Sequence, residues 1–343
     1  MTSQSSTIVT LGTAGGPRWW TPLSTGSRFG ISTAVVVGDR SYLVDVGMGA
    51  GRQFARAGLD MDSLGGIFLT HLHSDHTTDL ANLVLFGMFG ITRPRPPIQL
   101  VGPGNRGMLP PLSPRATQPI TPVAPDLPTP GTSDMFRLLM EANATDLNDR
   151  VLDALRPSPF ELFQPHDIEI PQRIGYHPNT NMTPDMEPFT VFEDDRVRVD
   201  AILVQHPPIA PAFGYRFTTD EGSVAFSGDT AKTPNMVRLA AGADLLLHEA
   251  ISFEWVDEFY GEGTDPTSQA SLDHHHKSHT SVAEAAEIAI EAEAKRLAIH
   301  HLVPGNLPLD TWKRASEHCG IEILIPDDLE AIRLQDRDDS PLN

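Results

Sequence analysis

The sequence predicts an α/β protein of the α+β kind, an αββα arrangement of two packed sheets with helices on the outside. Three observations predict it. Short apolar or β-branched runs bounded by glycine recur near both ends of the 343-residue chain. Each of these halves, residues 1–100 and 196–335, runs strands first and helices after. A proline-rich stretch divides them. With 40% hydrophobic residues the chain can bury the core of one large domain, so residues 1–343 are read as a single domain. Residues 103–190 are read as a Pro-rich insertion within it, a lid or a dimer arm.

Taken in order, Thr7–Leu11, Ile31–Val37 and Ser41–Val46 read as strands, and Gly66–Thr70 as another that ends in a histidine-rich loop. Asp79–Phe89 has helical spacing of Leu80, Leu83, Val84 and Met88. Pro94 to Pro188 holds 19 of the 30 prolines, with 7 Arg against 11 Asp and Glu. One helical stretch, Asp134–Leu155, interrupts it, and Met135, Phe136, Leu138, Leu139 and Met140 look made for burial, which argues against a mobile linker. Beyond Arg196, Val197–Val204, Gly214–Thr218, Ser223–Ser227 and Asp244–His248 read as strands. Ser281–Ala292 is a helix with Ser281 at the N-cap and Glu284 three residues on. Arg296–His300, Thr311–His318, Ile321–Ile325 and Ala331–Leu334 then read as strand, helix, strand and strand.

Composition narrows the function. Lys plus Arg total 25 against 45 for Asp plus Glu, a formal net charge of −20 that counts against polyanionic partners. The lone cysteine, Cys319, excludes an intramolecular disulfide and argues against a thiolate-built metal site. Met1–Thr10 lacks the basic and apolar regions of a signal peptide, and the longest apolar run, Ala81–Ile91, is too short for a bilayer. A cytoplasmic protein without a membrane partner is the expectation.

The 14 histidines carry the chemistry. In Thr70-His71-Leu72-His73-Ser74-Asp75-His76, three imidazoles and a carboxylate follow an apolar strand directly. His71 and His73 share a side of the turn, while Asp75 and His76 can turn to a second point nearby. Imidazole and carboxylate together suit zinc, manganese or iron, and a solvated loop has no reason to collect four such groups after a buried strand. Three further groups emerge from strand ends: His206 after Ala201–Gln205, Asp229 within Ser227-Gly228-Asp229-Thr230, and His301 after Leu297–His300. Together with the loop they complete a two-metal set.

These strings resemble the metallo-β-lactamase-fold hydrolases, and within them the ribonuclease Z and arylsulfatase-like branch. Leu11-Gly12-Thr13-Ala14-Gly15-Gly16, Tyr42–Gly47, Phe226–Thr230, His248-Glu249-Ala250 and His279-Thr280-Ser281 agree with it. The resemblance covers about residues 7–102 and 196–335 and omits the insertion. It implies that His71, His73 and His206 hold one metal, that Asp75, His76 and His301 hold a second, and that Asp229 bridges them. It implies two divalent ions, zinc first with manganese or iron as alternatives. A hydroxide bridging the pair would be the nucleophile, oriented by Asp75. His279 would stand at the family's general-acid position, where a helix N-terminus disfavours imidazolium, so that it either donates a proton to the leaving oxygen or only polarises it; a homodimer is implied as well. His248 ends a buried strand and either lines the same pocket, supports His279 through a hydrogen bond, or is a buried structural histidine. Asp45 is expected to brace the ligand loop. His274–His276 read as a solvated tract, His166, His177 and His318 as ordinary histidines, and Trp19 and Trp20 as pocket wall or core.

Two substrate classes compete. A tRNA 3′-end endonuclease needs cations to grip phosphates, but the insertion is acidic. Asp229-Thr230 leads into Ala231-Lys232, where the tRNA-processing enzymes often carry Arg, and His300–Pro304 resembles the small-molecule hydrolases. The sequence reading therefore puts a small-molecule ester, lactone, sulfate ester or phosphodiester first and sets nucleic acid aside. The ribonuclease Z activity is its alternative.

Overall fold

A computed structural model describes residues 6–20, 28–261, 263–317 and 319–335. Two seven-stranded sheets lie face to face. The first contains β1 (Ser6–Gly12), β2 (Ser32–Val37), β3 (Arg40–Val44), β4 (Leu64–Phe68), β5 (Ile98–Pro103) and β6 (Phe163–Ile168). The second runs from β7 (Phe189–Glu193) through β8 (Arg198–Leu203), β9 (Phe213–Thr219), β10 (Gly222–Phe226), β11 (Leu245–Ile251) and β12 (Leu297–Val303) to β13 (Ile323–Leu324). The chain then returns, and β14 (Glu330–Arg333) pairs antiparallel with β1 at the edge of the first sheet.

Both sheets repeat one pattern. From β14 to β3, and again from β7 to β10, neighbours are antiparallel. From β3 to β6, and from β10 to β13, they are parallel. Antiparallel neighbours need only short turns, whereas each parallel step needs a crossover. That is why helices such as Ala50–Arg56, Leu80–Gly87, Pro234–Ala240 and Val282–Glu291 sit in the second part of each half. The functional loops leave the ends of these strands.

Aromatic side chains fill the space between the sheets. Phe68 on β4 meets Phe217 on β9 with ring centroids 5.1 Å apart and Tyr215 at 5.9 Å, both edge to face. A second core lies outside the first sheet, where Phe54, Leu80, Leu83, Val84, Phe136 and Met140 cover its outer face. The Ser281 capping box forms, with the Ser281 side chain accepting from Glu284 N and the Glu284 carboxylate accepting from Ser281 N.

Four local expectations need correction. The helix expected over Asp134–Leu155 is two helices, Thr132–Ala142 and Ala144–Leu152, divided at Asn143, which leaves helical geometry at φ −104° and ψ 16°. Leu138 is exposed, while Phe136 and Met140 are buried. Within the proline-rich stretch, Phe163–Ile168 adds a parallel edge strand against β5, so part of that stretch is built into the first sheet. Pro165 is tolerated there because an edge strand has one side free of ladder hydrogen bonds. Finally, His274–His276 lie on a helix, Pro266–Ser278, not in a loop. His318 lies outside the described residues. Among the described residues, no helix is long and apolar enough to cross a membrane.

Candidate metal centre

After β4 the chain turns at Thr70 into the histidine loop, and Ser74–Thr77 close it with one helical turn. Asp45 fastens this turn from behind. Its carboxylate accepts from Thr70 N and the Thr70 hydroxyl, each at 2.8 Å, and lies 2.8 Å from His76 Nδ1. His206 arrives from the end of β8, its Nδ1 donating to the Ser278 carbonyl at 2.8 Å. Asp229 arrives from β10 through Gly228 at φ 59°, where a Cβ would also lie 2.8 Å from the Phe213 carbonyl oxygen.

His301 arrives by a bulge. Glu249 pairs with His300 and Ala250 with Leu302, so His301 is left out of the ladder at φ 49°. A bulge re-aims the side chain it expels. Here it turns His301 into the site and leaves His300 facing Thr33, with Nδ1 3.4 Å from the Thr33 hydroxyl. The His301 ring then occupies the space beside Gly15, where any Cβ would come within 2.2 Å of it.

The result is two clusters joined by one carboxylate. His71 Nε2 and His73 Nδ1 are 3.0 Å apart, and His206 Nε2 is 3.2 Å from His73 Nδ1. Asp229 Oδ2 faces this triad, 3.9 Å from His71 Nε2 and 3.8 Å from His206 Nε2. Asp229 Oδ1 faces the other cluster, 3.3 Å from His76 Nε2 and 3.2 Å from His301 Nε2. Asp75 Oδ2 completes it at 3.6 Å and 3.4 Å from the same two nitrogens.

The donor set fits divalent cations. Thr70 Oγ1, Ser278 O and Asp45 engage the Nδ1 atoms of His71, His206 and His76, so the Nε2 lone pairs converge on one another. Lone pairs at that spacing repel unless a proton or a cation lies between them. Burial, reinforced by neighbouring imidazoles, pushes His71 well below its ordinary pKa, and burial does the same to His206. Both rings are thus neutral, as metal ligands must be. For His76 burial lowers the pKa, but Asp229, Asp45 and Asp75 together raise it well above the usual value. That carboxylate surplus is the charge a divalent cation balances. The His/Asp cluster has the donors and the spacing to hold divalent metal ions.

Beside it, His279 follows the helix Pro266–Ser278 and precedes the N-cap Ser281. Its Nδ1 lies 3.0 Å and 3.1 Å from the two oxygens of Glu249, a carboxylate with no exposed surface. Burial lowers the His279 pKa, but Glu249, with Asp229 and Asp75 behind it, raises it to about 9. The carboxylate therefore overrides the helix N-terminus, which disfavours imidazolium.

His248, the other candidate for this support, is placed elsewhere. Adjacent residues of a strand face opposite sides, so when Glu249 points at His279, its neighbour on β11 points away. His248 is fully buried, its Nδ1 2.9 Å from the Glu249 carbonyl oxygen. The sequence reading missed Glu249 although His248-Glu249-Ala250 was among its strings.

The metal cluster opens into a cavity of about 260 Å³, bounded by His73, Asp75, Asp229, His279 and His301 on one side. Trp20, Trp255 and Tyr260 face them, together with His274 and His275 from the helix taken for a solvated tract. Trp19 is 88% exposed and lies outside this cavity. A second cavity of about 360 Å³ begins on the other flank of His73, walled by Leu72, Met135 and prolines of residues 103–130 and 208–211.

Residues 27–97 match the metallo-beta-lactamase superfamily, and residues 132–302 match the beta-lactamase superfamily domain. The chain is 28% identical over 321 residues to a ribonuclease Z of Mycobacterium sp. (strain KMS), covering 91% of this chain and 93% of that protein. It is 29% identical over 323 residues to a ribonuclease Z of Mycolicibacterium paratuberculosis, covering 91% and 95%. Among solved structures, human tRNase Z, short form, superposes with a TM-score of 0.61 at 19% identity, covering 96% of this chain and 99% of that one.

These relatives overturn the expectation of a small-molecule substrate with nucleic acid set aside. They are ribonucleases and match along nine tenths of the chain. The error lay in weighing a net charge of −20. Net charge sums the whole surface and does not fix the field at one cavity. At this one, the Arg18 guanidinium stands among aromatic rings with no carboxylate partner among the described residues.

Proposed function

This chain belongs to the metallo-β-lactamase superfamily, and from that premise we propose that it is a two-metal endoribonuclease of the ribonuclease Z kind, cutting a phosphodiester bond in a tRNA precursor. The observation that carries the reading is the end-to-end match to ribonucleases Z in a chain whose metal cluster is joined by one bridging carboxylate. The two cavities on either flank of His73 support it, since a polynucleotide needs room on both sides of the cleaved bond. Residues 103–190 would act as the arm over the proline-lined flank.

In this reading His71, His73 and His206 would hold one ion and Asp75, His76 and His301 the other, with Asp229 available to both. Zinc is the proposed ion, as it accepts nitrogen and carboxylate donors without thiolates. When bound, the pair polarises a phosphoryl oxygen and makes water a nucleophile near neutral pH.

The protein's own groups do the rest. Gly16 N donates to Asp75 Oδ2 at 2.9 Å and fixes that carboxylate beside His76 and His301. His279 keeps Nδ1–H on Glu249 and presents Nε2–H to the cavity. As the P–O bond to the leaving ribose oxygen breaks, Nε2 gives that oxygen its proton, and Glu249 stabilises the charge held on His279 beforehand.

The test is a substrate panel. Zinc-loaded protein is incubated with a precursor tRNA, an aryl phosphodiester, an aryl sulfate, an aryl ester and a lactone, with D75A as control. Site-specific removal of the precursor's 3′ trailer, absent in D75A, is expected. Turnover of the sulfate, ester or lactone with the precursor left intact would overturn the reading.

A further inference from the structure

We propose that the wall opposite the metal cluster is a stacking subsite for the nucleobase next to the cleaved phosphodiester, formed by Trp20, Trp255 and Tyr260 with Arg18 across them. The assignment of the base to that position rests on the ribonuclease reading above; the affinity of the wall for a nucleotide does not.

The wall is built, not incidental. Trp20 is held by a hydrogen bond from Nε1 to the Gly15 carbonyl at 2.8 Å, in the same glycine turn that packs against His301. Trp255 meets Trp20 edge on, with ring centroids 5.8 Å apart, and Tyr260 meets Trp255 at 6.1 Å, also edge on. Both come from the helix Phe253–Tyr260, which Ser252 caps by accepting from Trp255 N. The same helix buries Val256 in a small core with Ile251 and Val303. These rings are therefore fixed at the cavity without being needed to fill the main core between the sheets.

Arg18 adds charge to this aromatic surface. Its Cζ lies 5.8 Å from the Trp20 ring, 5.9 Å from Trp255 and 4.8 Å from Phe259, and its guanidinium hydrogen-bonds the Tyr260 hydroxyl. A cation kept over rings, without a carboxylate partner among the described residues, leaves its hydrogen-bonding capacity for an anion. Rings plus a guanidinium beside a metal cluster match a nucleotide in both parts: a planar base for the rings, a phosphate for the cation. Every base has a π-face, so such a wall grips the chain while reading little sequence. The cavity volume of about 260 Å³ lies below the about 300–1,000 Å³ of sites that enclose a whole small ligand, and suits one unit of a longer one.

Two measurements test this on the full chain. In the first, uridine 5′-monophosphate and ribose 5-phosphate are titrated while tryptophan fluorescence is read. Saturable quenching is expected with the nucleotide, at least about fivefold tighter than any binding of ribose 5-phosphate, and it is lost in W255A and Y260A. Equal affinity for the two probes, or quenching unchanged in both variants, would overturn the subsite. In the second, zinc-loaded protein cleaves precursor RNA that carries either a base or an abasic residue beside the cleaved bond. The parent is expected to favour the base by about fivefold or more in kcat/KM, and W255A to favour it less than about twofold. Full discrimination in W255A would refute the assignment. A parent that cuts no RNA at all would refute the ribonuclease reading, and the fluorescence titration then judges the wall alone. Y260A serves as the independent variant should W255A fail to fold.

Discussion

Replacing Glu249 by Gln tests how His279, the proposed general acid, is held. Both Glu249 oxygens lie about 3 Å from His279 Nδ1, at 3.0 Å and 3.1 Å, and Oε1 also accepts from Thr230 N at 2.7 Å. Gln keeps the shape: its oxygen can still accept from Thr230 N, and its amide can donate to a neutral His279. What it removes is a fully buried charge. A hydrogen bond to a charged partner contributes about 1.5–3 kcal/mol, and one pKa unit corresponds to about 1.4 kcal/mol. E249Q should therefore lower the His279 pKa by about one to two units from its elevated value. The sign follows from the role. The acid form is active, so activity falls as pH rises through the His279 pKa, and E249Q moves that alkaline limb to lower pH. At pH 8 a loss of about two- to tenfold in kcat/KM is expected, recovering toward the parent as pH falls. The assay is the pH profile of precursor cleavage by zinc-loaded parent and variant, with bound metal checked in each. An alkaline limb that stays where it is in the parent would refute the reasoning.

Other perturbations separate the remaining roles. D45N weakens the acceptor behind His76 and Thr70, and should cost about 10–100-fold in affinity for one of the two ions, read by competition with a chromophoric chelator. H301A should retain one ion per chain in place of two, whereas H300A, whose ring faces Thr33, should retain both; elemental analysis decides between them. F68A deletes a fully buried ring that meets Phe192, Tyr215 and Phe217 between the sheets. Its expected cost is about 3–5 kcal/mol in denaturant unfolding, and a loss under about 1 kcal/mol would contradict the packing described.

Much of the fold could be read because its strands are short apolar runs punctuated by glycine. The histidine loop stood out because a buried strand leads straight into four ligand-type side chains. Other features depend on geometry that a sequence does not carry. His300 and His301 are equivalent candidates until the bulge in β12 expels one of them. Glu249 was hidden beside His248 because every residue of β11 is buried, so no alternation of polar and apolar positions reveals which face meets the site. The helix Pro266–Ser278 lacks an apolar stripe, Leu272 being its one large apolar residue. Its one signal is Asp265 followed by Pro266, an N-cap whose side chain accepts from Thr267 N and Ser268 N. Strand β6 was obscured by Pro165, which only an edge position permits.

The central claim, two ions joined by Asp229 and working together on RNA, is tested most directly by a metal titration. The chain is stripped of metal, zinc is added in measured equivalents, and the rate of precursor tRNA cleavage is followed. The account predicts little activity at one equivalent and a maximum at two, with D229A failing to reach it at any loading. Full activity at one equivalent, or cleavage that persists in the stripped protein, would contradict it.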